Sequence, residues 1–151
     1  MTSSEIHEQL MECYSIWKET DSLYSEMARK SGLSDTAYWV LYSIWLFGSK
    51  CTQKDICEQW SFSKQTVNTA LRNLERKGFI SLVQVESDKR SKYVVLTEEG
   101  KRFASKYIKI ILQIEEITLH KMSDAERDAM IRSSRRYLEL FREEINNFYL
   151  A

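Results

Sequence analysis

The chain of 151 residues contains no proline, four glycines, three cysteines and two histidines. Without proline and with so little glycine, nothing interrupts long helices, and a β-rich fold with many tight turns is disfavoured. Three cysteines, an odd number without paired spacing, make no disulfide framework and suit a reducing compartment. His7 and His120 lie far apart, with no His-x-x-x-His or Cys-x-x-Cys spacing, so neither a metal nor another cofactor is expected. No nucleophile elbow, phosphate loop or carboxylate–histidine set appears, and the chain is not expected to be an enzyme. No apolar run approaches the roughly 18–20 residues that span a membrane. The N-terminus is polar and acidic, unlike a secretory leader, and a cytoplasmic location is expected.

Net charge is also lacking: 22 basic side chains balance 22 acidic ones. The balance is uneven along the chain. Residues 1–49 hold 3 basic and 7 acidic groups, residues 50–106 hold 12 and 7, and residues 107–151 hold 7 and 8. A basic excess confined to one segment is the footprint of a surface that meets phosphate.

That segment carries the most informative pattern. Thr52 caps a short predicted helix whose Ile56, Cys57 and Trp60 are expected inward, against Val67 and Leu71. A longer helix follows from an N-cap at Ser63, a residue whose hydroxyl can accept from an orphaned first-turn amide. Val67, Ala70, Leu71 and Leu74 recur at helical spacing and face a core, while Lys64, Gln65, Thr66, Asn68, Thr69 and Arg72 fall on the other side. Arg bonds guanine bidentately, Asn or Gln bonds adenine, Ser or Thr serves either, and Lys neutralises phosphate. The face therefore fits the recognition helix of a helix-turn-helix lying in a major groove. The plainer alternative is a solvated helix surface.

Past Arg76, Lys77 and Gly78, which suit a helix C-terminus, the period changes. Phe79 to Val85 and Tyr93 to Leu96 are β-branched and aromatic runs around the polar Glu86 to Lys92, predicting a hairpin tipped by Ser87 to Ser91. Such a wing would hold Lys89, Arg90 and Lys92 in solvent, with Lys89 and Lys92 suited to phosphate. Arg90 suits a narrow, electronegative minor groove, with Asp88 placed to orient its guanidinium.

These residues resemble the MarR-type winged helix-turn-helix regulators. The resemblance is carried by TQKDICEQW, by FSKQTVNTALRNLERKGFI, and by Asp88-x-Arg90 followed by SKYVVLTEEG up to Gly100. It extends over GLSDTAYWVLYSIW and two long helices, nearly the whole chain. Trp60, where a smaller aliphatic residue is usual, and Ser61, where Gly is common, depart from the pattern. The resemblance implies a dimeric DNA-binding transcription factor, a repressor released by a small aromatic or anionic effector, with Asp88 and Arg90 as its wing pair. It also implies an effector cleft, for which Trp17, Tyr38 and Tyr42 are the candidate lining; core packing is the alternative for each ring.

The fold expected is mainly α with a small antiparallel hairpin wing: a winged helix-turn-helix plus long N- and C-terminal dimerisation helices. Residues 1–151 form one unit, with 33–97 as the DNA-binding part and 1–32 and 98–151 as the helical dimerisation part. The first helix, Ser4 to Lys30, carries Ile6, Leu10, Cys13, Trp17, Tyr24 and Met27 on one face, and a capped, centrally buried helix runs from Asp35 to Phe47. After Thr97 a long helix has the buried line Phe103, Tyr107, Ile110, Ile111, Ile114 and Ile117. Ser123 and Glu126 read as a capping box before a last helix with Met130, Tyr137, Leu138, Phe141, Ile145 and Phe148 on one stripe. Helices of roughly 20–25 residues are about 30–38 Å long, more than a small core covers. A two-fold partner is the economical cover, self-capping the alternative, and a dimer implies a pseudo-palindromic operator with half-sites ~34 Å apart. Two other readings stay open: a thiol- or metal-responsive regulator on the same scaffold, and a winged-helix protein-interaction module without DNA.

Overall fold

A computed structural model describes residues 2–85 and 88–150, without the side chains of residues 88–90 and 150. Helices α1 (Ser3–Ser31), α2 (Asp35–Phe47), α3 (Gln53–Trp60) and α4 (Lys64–Arg76) precede strands β1 (Ile80–Val85) and β2 (Asp88–Leu96). Helices α5 (Glu98–Lys121) and α6 (Asp124–Leu150) complete the chain. The fold is thus mostly helical, with one antiparallel hairpin of winged-helix type. It divides into two compact units, Met1–Ile111 and Leu112–Ala151, with α5 running from one into the other.

In the first unit, short polar residues set the helix starts. Thr2 and Glu5 form a capping box at α1, Ser34 accepts from the Ala37 amide at α2, and Thr52 and Asp55 form a second box at α3. Gly32, at φ 75, closes α1 by donating to the Ala28 and Arg29 carbonyls. Helix α2 is the centre of the core: Tyr38, Val40, Leu41 and Ile44 are at most 1% exposed. It packs against α1, α3 and α4. Helix α4 buries Val67, Ala70, Leu71 and Leu74, as its spacing predicts. Each of the buried Val and Leu side chains contributes about 1.5–3 kcal/mol before entropy is counted. The helix ends as the Gly78 and Phe79 amides reach back to the carbonyls of Glu75 (2.8 Å) and Leu74 (3.0 Å).

Three expectations need correction. Of the α3 residues expected against Val67 and Leu71, only Ile56 is fully buried; Cys57 is half-buried, and Trp60 turns its ring onto Trp39 and Tyr42 of α2. The second strand begins at Asp88, not Tyr93, so residues 88–92 belong to the strand, with Asp88 and Lys92 as the ladder partners of Val85 and Gln84. Ladder bonds are backbone bonds and need no apolar side chains. The three surplus residues of β2 are absorbed by a register shift between Gln84, opposite Lys92, and Val85, opposite Asp88. Finally, the first-unit part of α5 buries Gly100, Ala104, Ile108 and Ile111. Phe103 and Tyr107 are half-exposed, and Ile110, Ile114 and Ile117 lie on the surface. Helix α5 carries two apolar stripes, and the one containing the small residues faces inward because it lets the backbone come close.

That approach is very tight. The Thr97 hydroxyl accepts from the Gly100 amide (3.0 Å) and donates to the Gly78 carbonyl (2.5 Å), and the Thr97 amide donates to the Phe79 carbonyl (3.0 Å). A Cβ on Gly100 would lie 1.8 Å from the Phe79 oxygen. The joint ties the start of α5 to the segment leaving α4. The hairpin is anchored a second time where the Val94 amide donates to the Cys51 carbonyl at 2.7 Å, as a lone hairpin requires.

In the second unit, Ser123 and Glu126 form the expected capping box at α6. Hydrogen bonds from the serine hydroxyl and, after it, the serine amide lower the Glu126 carboxyl from its ordinary value. Arg127 donates to the Leu119 and Met122 carbonyls at the end of α5 and pairs with Asp124, which satisfies carbonyls left without a helical partner. Met130, Tyr137, Leu138, Phe141, Ile145 and Phe148 of α6 are all exposed.

Candidate nucleic-acid interface

Because the buried line of α4 points into the core, its polar line is presented outward. Lys64, Gln65, Thr66, Asn68, Thr69 and Arg72 are all exposed. Their side chains differ in what else they do. The Ser63 hydroxyl accepts from the Thr66 amide at 3.1 Å and shares a 2.7 Å bond with the Thr66 hydroxyl, while Thr69 donates to the Gln65 carbonyl at 3.0 Å. These hydroxyls are oriented by their own helix. Lys64, Asn68 and Arg72 have no side-chain partner among the described residues, so their donors point outward without an internal bond to break.

The three line a groove of about 860 Å³ between α3, α4 and the hairpin. From α3 it adds Gln53 and Lys54, and from the hairpin Leu82, Ser91 and Lys92. Four cations, Lys54, Lys64, Arg72 and Lys92, face two carboxylates, Glu58 and Glu75, and Glu58 is already paired with Lys54 at 3.6 Å. The groove therefore favours an anion. Gln53 also donates its amide to the Lys64 carbonyl at 3.0 Å, tying the start of α3 to the start of α4. Sequence reasoning did not single out Gln53, Lys54 or Leu82. Placing Ile56 inward puts Lys54, two residues before it, outward on the same helix, so a signal existed for Lys54. Gln53, three residues before Ile56, shares the inward side and is half-buried. Leu82, an apolar strand residue that stays 38% exposed, gave none.

Of the predicted wing residues, Lys92 is exposed and lies opposite Gln84, whose amide donates to the Ser91 carbonyl at 2.9 Å. Asp88, Lys89 and Arg90 stand in β2 by their backbone; their side chains lie outside the described residues, as do residues 86 and 87.

The three rings considered for an effector are placed differently from one another. Tyr38 is fully buried and donates its hydroxyl to the Tyr107 carbonyl at 3.2 Å, and Tyr42 is buried beside Trp39 and Trp60. Trp17 is 49% exposed on α1, next to Tyr14. Among the cysteines, Cys13 is exposed and Cys57 borders the groove. Burial, with the nearby Asp55 charge adding to it, pushes the Cys51 thiol up to about 12, so it is a protonated core residue at neutral pH. Among the described residues no group of three His, Cys, Asp or Glu is placed to hold a metal, and no helix is long and apolar enough to cross a membrane.

Comparison with known proteins gives a consistent result. The family model described as MarR family matches residues 31–91. The uncharacterized HTH-type transcriptional regulator YwoH of Bacillus subtilis is 30% identical over 115 residues, covering 76% of this chain and 82% of YwoH. YwhA of the same organism, likewise named an uncharacterized HTH-type transcriptional regulator, is 29% identical over 93 residues, 62% of this chain and 66% of its own length. Among solved structures, the MarR family regulator NMB1585 of Neisseria meningitidis matches with a TM-score of 0.75 at 24% identity, covering 92% of this chain and 97% of that one. The S. aureus MepR–DNA complex matches at 0.63 and 22% identity, covering 93% and 98%. Overoxidized AbfR bound to DNA matches at 0.66 and 19%, covering 93% and 99%.

Proposed function

Because the chain belongs to the MarR family of transcriptional regulators, we propose that it binds double-stranded DNA sequence-specifically as a homodimer and acts as a repressor released by a small effector. The observation that carries this reading is the division of α4 into a buried apolar line and an exposed polar one that shares a cationic groove with Lys92. Lys64, Gln65, Thr66, Asn68, Thr69 and Arg72 are the proposed major-groove residues, with Ser63 presenting the first turn. Arg90 is assigned to the minor groove from the sequence, with Asp88 as the brace of its guanidinium, and Lys89 and Lys92 to phosphate. The DNA-bound state of the MepR and AbfR neighbours, which share the fold, supports the same partner.

The homodimer is supported by the exposed apolar side chains that recur along α1 and α6, for which a second copy would supply cover. Two-fold pairing places two recognition helices on half-sites about one turn apart, ~34 Å. The proposed release signal is a small aromatic or anionic effector that binds the two states of the dimer unequally. Of the three candidate rings, only Trp17 is open to such a ligand in the single chain. The discriminating experiment is selection of bound fragments from a random duplex pool. Enriched fragments are expected to share a two-fold symmetric sequence, and affinity is expected to fall steeply with salt. No enrichment together with a flat salt response would refute the proposal.

A further inference from the structure

Ser61 is the one non-glycine residue with positive φ among the described residues, at φ 53 and ψ 31. A backbone of that kind is disfavoured wherever a Cβ is present and lasts only where its surroundings over-determine it. Here the surroundings are the ring of the preceding residue. The Trp60 indole donates its Nε1–H to the Ser43 hydroxyl at 2.6 Å, and Ser43, fully buried, donates onward to the Trp39 carbonyl at 3.0 Å. The indole also lies 4.5 Å from Trp39 and 5.9 Å edge-on from Tyr42. Trp39 in turn holds Tyr24 of α1 at 4.8 Å. An indole bonded to a buried hydroxyl has one seat, because any other leaves a polar group unpaired in the core. Only Ser61, Phe62 and the N-cap Ser63 separate that seat from α4. So short a link passes any displacement of Trp60 on to α4.

We propose that Trp60 is a positioning residue: its seat on Ser43 and Trp39 holds the strained Ser61 turn, and so sets the direction in which α4 presents Lys64, Asn68 and Arg72. The importance of that direction for DNA rests on the reading of α4 as the recognition helix. A ring that merely filled space would not share its effect with Ser61; a ring that holds a strained turn becomes dispensable once the strain is gone.

The test uses the full chain with Trp60→Phe, which keeps a ring and loses the N–H, with Ser61→Gly, which relieves the turn, and with both. Amide hydrogen exchange over residues 61–66 is measured without DNA, and affinity is measured for a duplex enriched from the random pool. Trp60→Phe is expected to speed exchange and weaken binding about tenfold each, the scale of one good hydrogen bond, with helical circular dichroism unchanged. Ser61→Gly alone is expected to leave affinity unchanged, and in the double variant to restore both properties. Wild-type exchange and affinity in Trp60→Phe, or losses that Ser61→Gly does not relieve, would overturn the proposal. Should Trp60→Phe fail to fold, Ser43→Ala removes the acceptor and leaves the ring, and the same two outcomes decide. If no duplex binds even the wild type while exchange follows the expected pattern, the positioning of α4 stands and the DNA reading fails.

Discussion

Helices α4 and α6 follow the same pattern, apolar residues at three- and four-residue spacing with charges between them, yet they end in opposite states. The apolar line of α4 is at most 6% exposed, whereas the stripe of α6 runs from 42% at Ile145 to 84% at Phe148. Amphipathicity is a demand for cover and does not say who supplies it. For α4 the cover is the chain's own core, and its other face stays exposed. For α6 the proposed cover is a second copy, so its side chains matter to assembly before they matter to folding.

The contrast is most exposed to a test in α6. Leu138→Asp combined with Phe141→Asp is expected to halve the mass seen in sedimentation. It should also cut affinity for a duplex with two half-sites about a hundredfold or more, since avidity is lost. An unchanged mass would break the contrast. On the α4 side, Leu74→Ala is expected to lower the unfolding free energy by about 2–5 kcal/mol. Urea titrations should give the same decrement at every protein concentration, because the cavity lies within one chain; a concentration-dependent decrement would place its cover in a partner. Arg72→Ala, on the outer face of the same helix, is expected to cost about 1–3 kcal/mol of DNA binding and to relax base preference, with an unchanged melting temperature. Fluorescence anisotropy against single-base variants of the selected duplex would check it, and Arg90→Ala should weaken all of those duplexes alike. The smallest effect belongs to Ser61→Gly. The left-handed penalty of a Cβ exceeds the extra chain entropy of glycine by roughly 0.5–1 kcal/mol, so the chain should gain about that much stability in urea titration.

What could be read from the sequence was local. Ser34, Thr52, Ser63 and Ser123 mark helix starts, and Gly32 and Gly78 mark ends, because caps satisfy backbone groups within a few residues. The polar face of α4 was legible for the same reason: Val67 and Leu71 point one way, so Asn68 and Arg72 point the other. The misread parts depend on distant groups. Which stripe of α5 turns inward is decided by the contact of Gly100 with Phe79, 21 positions away along the chain, and the early start of β2 by a ladder with β1 that polar side chains do not forbid. Leu82 joined the candidate groove only once the helices and hairpin were folded beside each other.

The missing side chain at Gly100 carries a consequence for anyone retuning the protein toward a new DNA sequence. The chain has no room there even for a methyl group, since the nearest obstacle is a backbone oxygen that cannot rotate away. A library that randomises positions 64, 65, 66, 68, 69 and 72 and spares the buried Val67, Ala70 and Leu71 explores surface and should yield folded variants freely. One that strays to position 100 should return a single surviving letter, bordered by permissive columns at the exposed Glu98, Glu99 and Lys101.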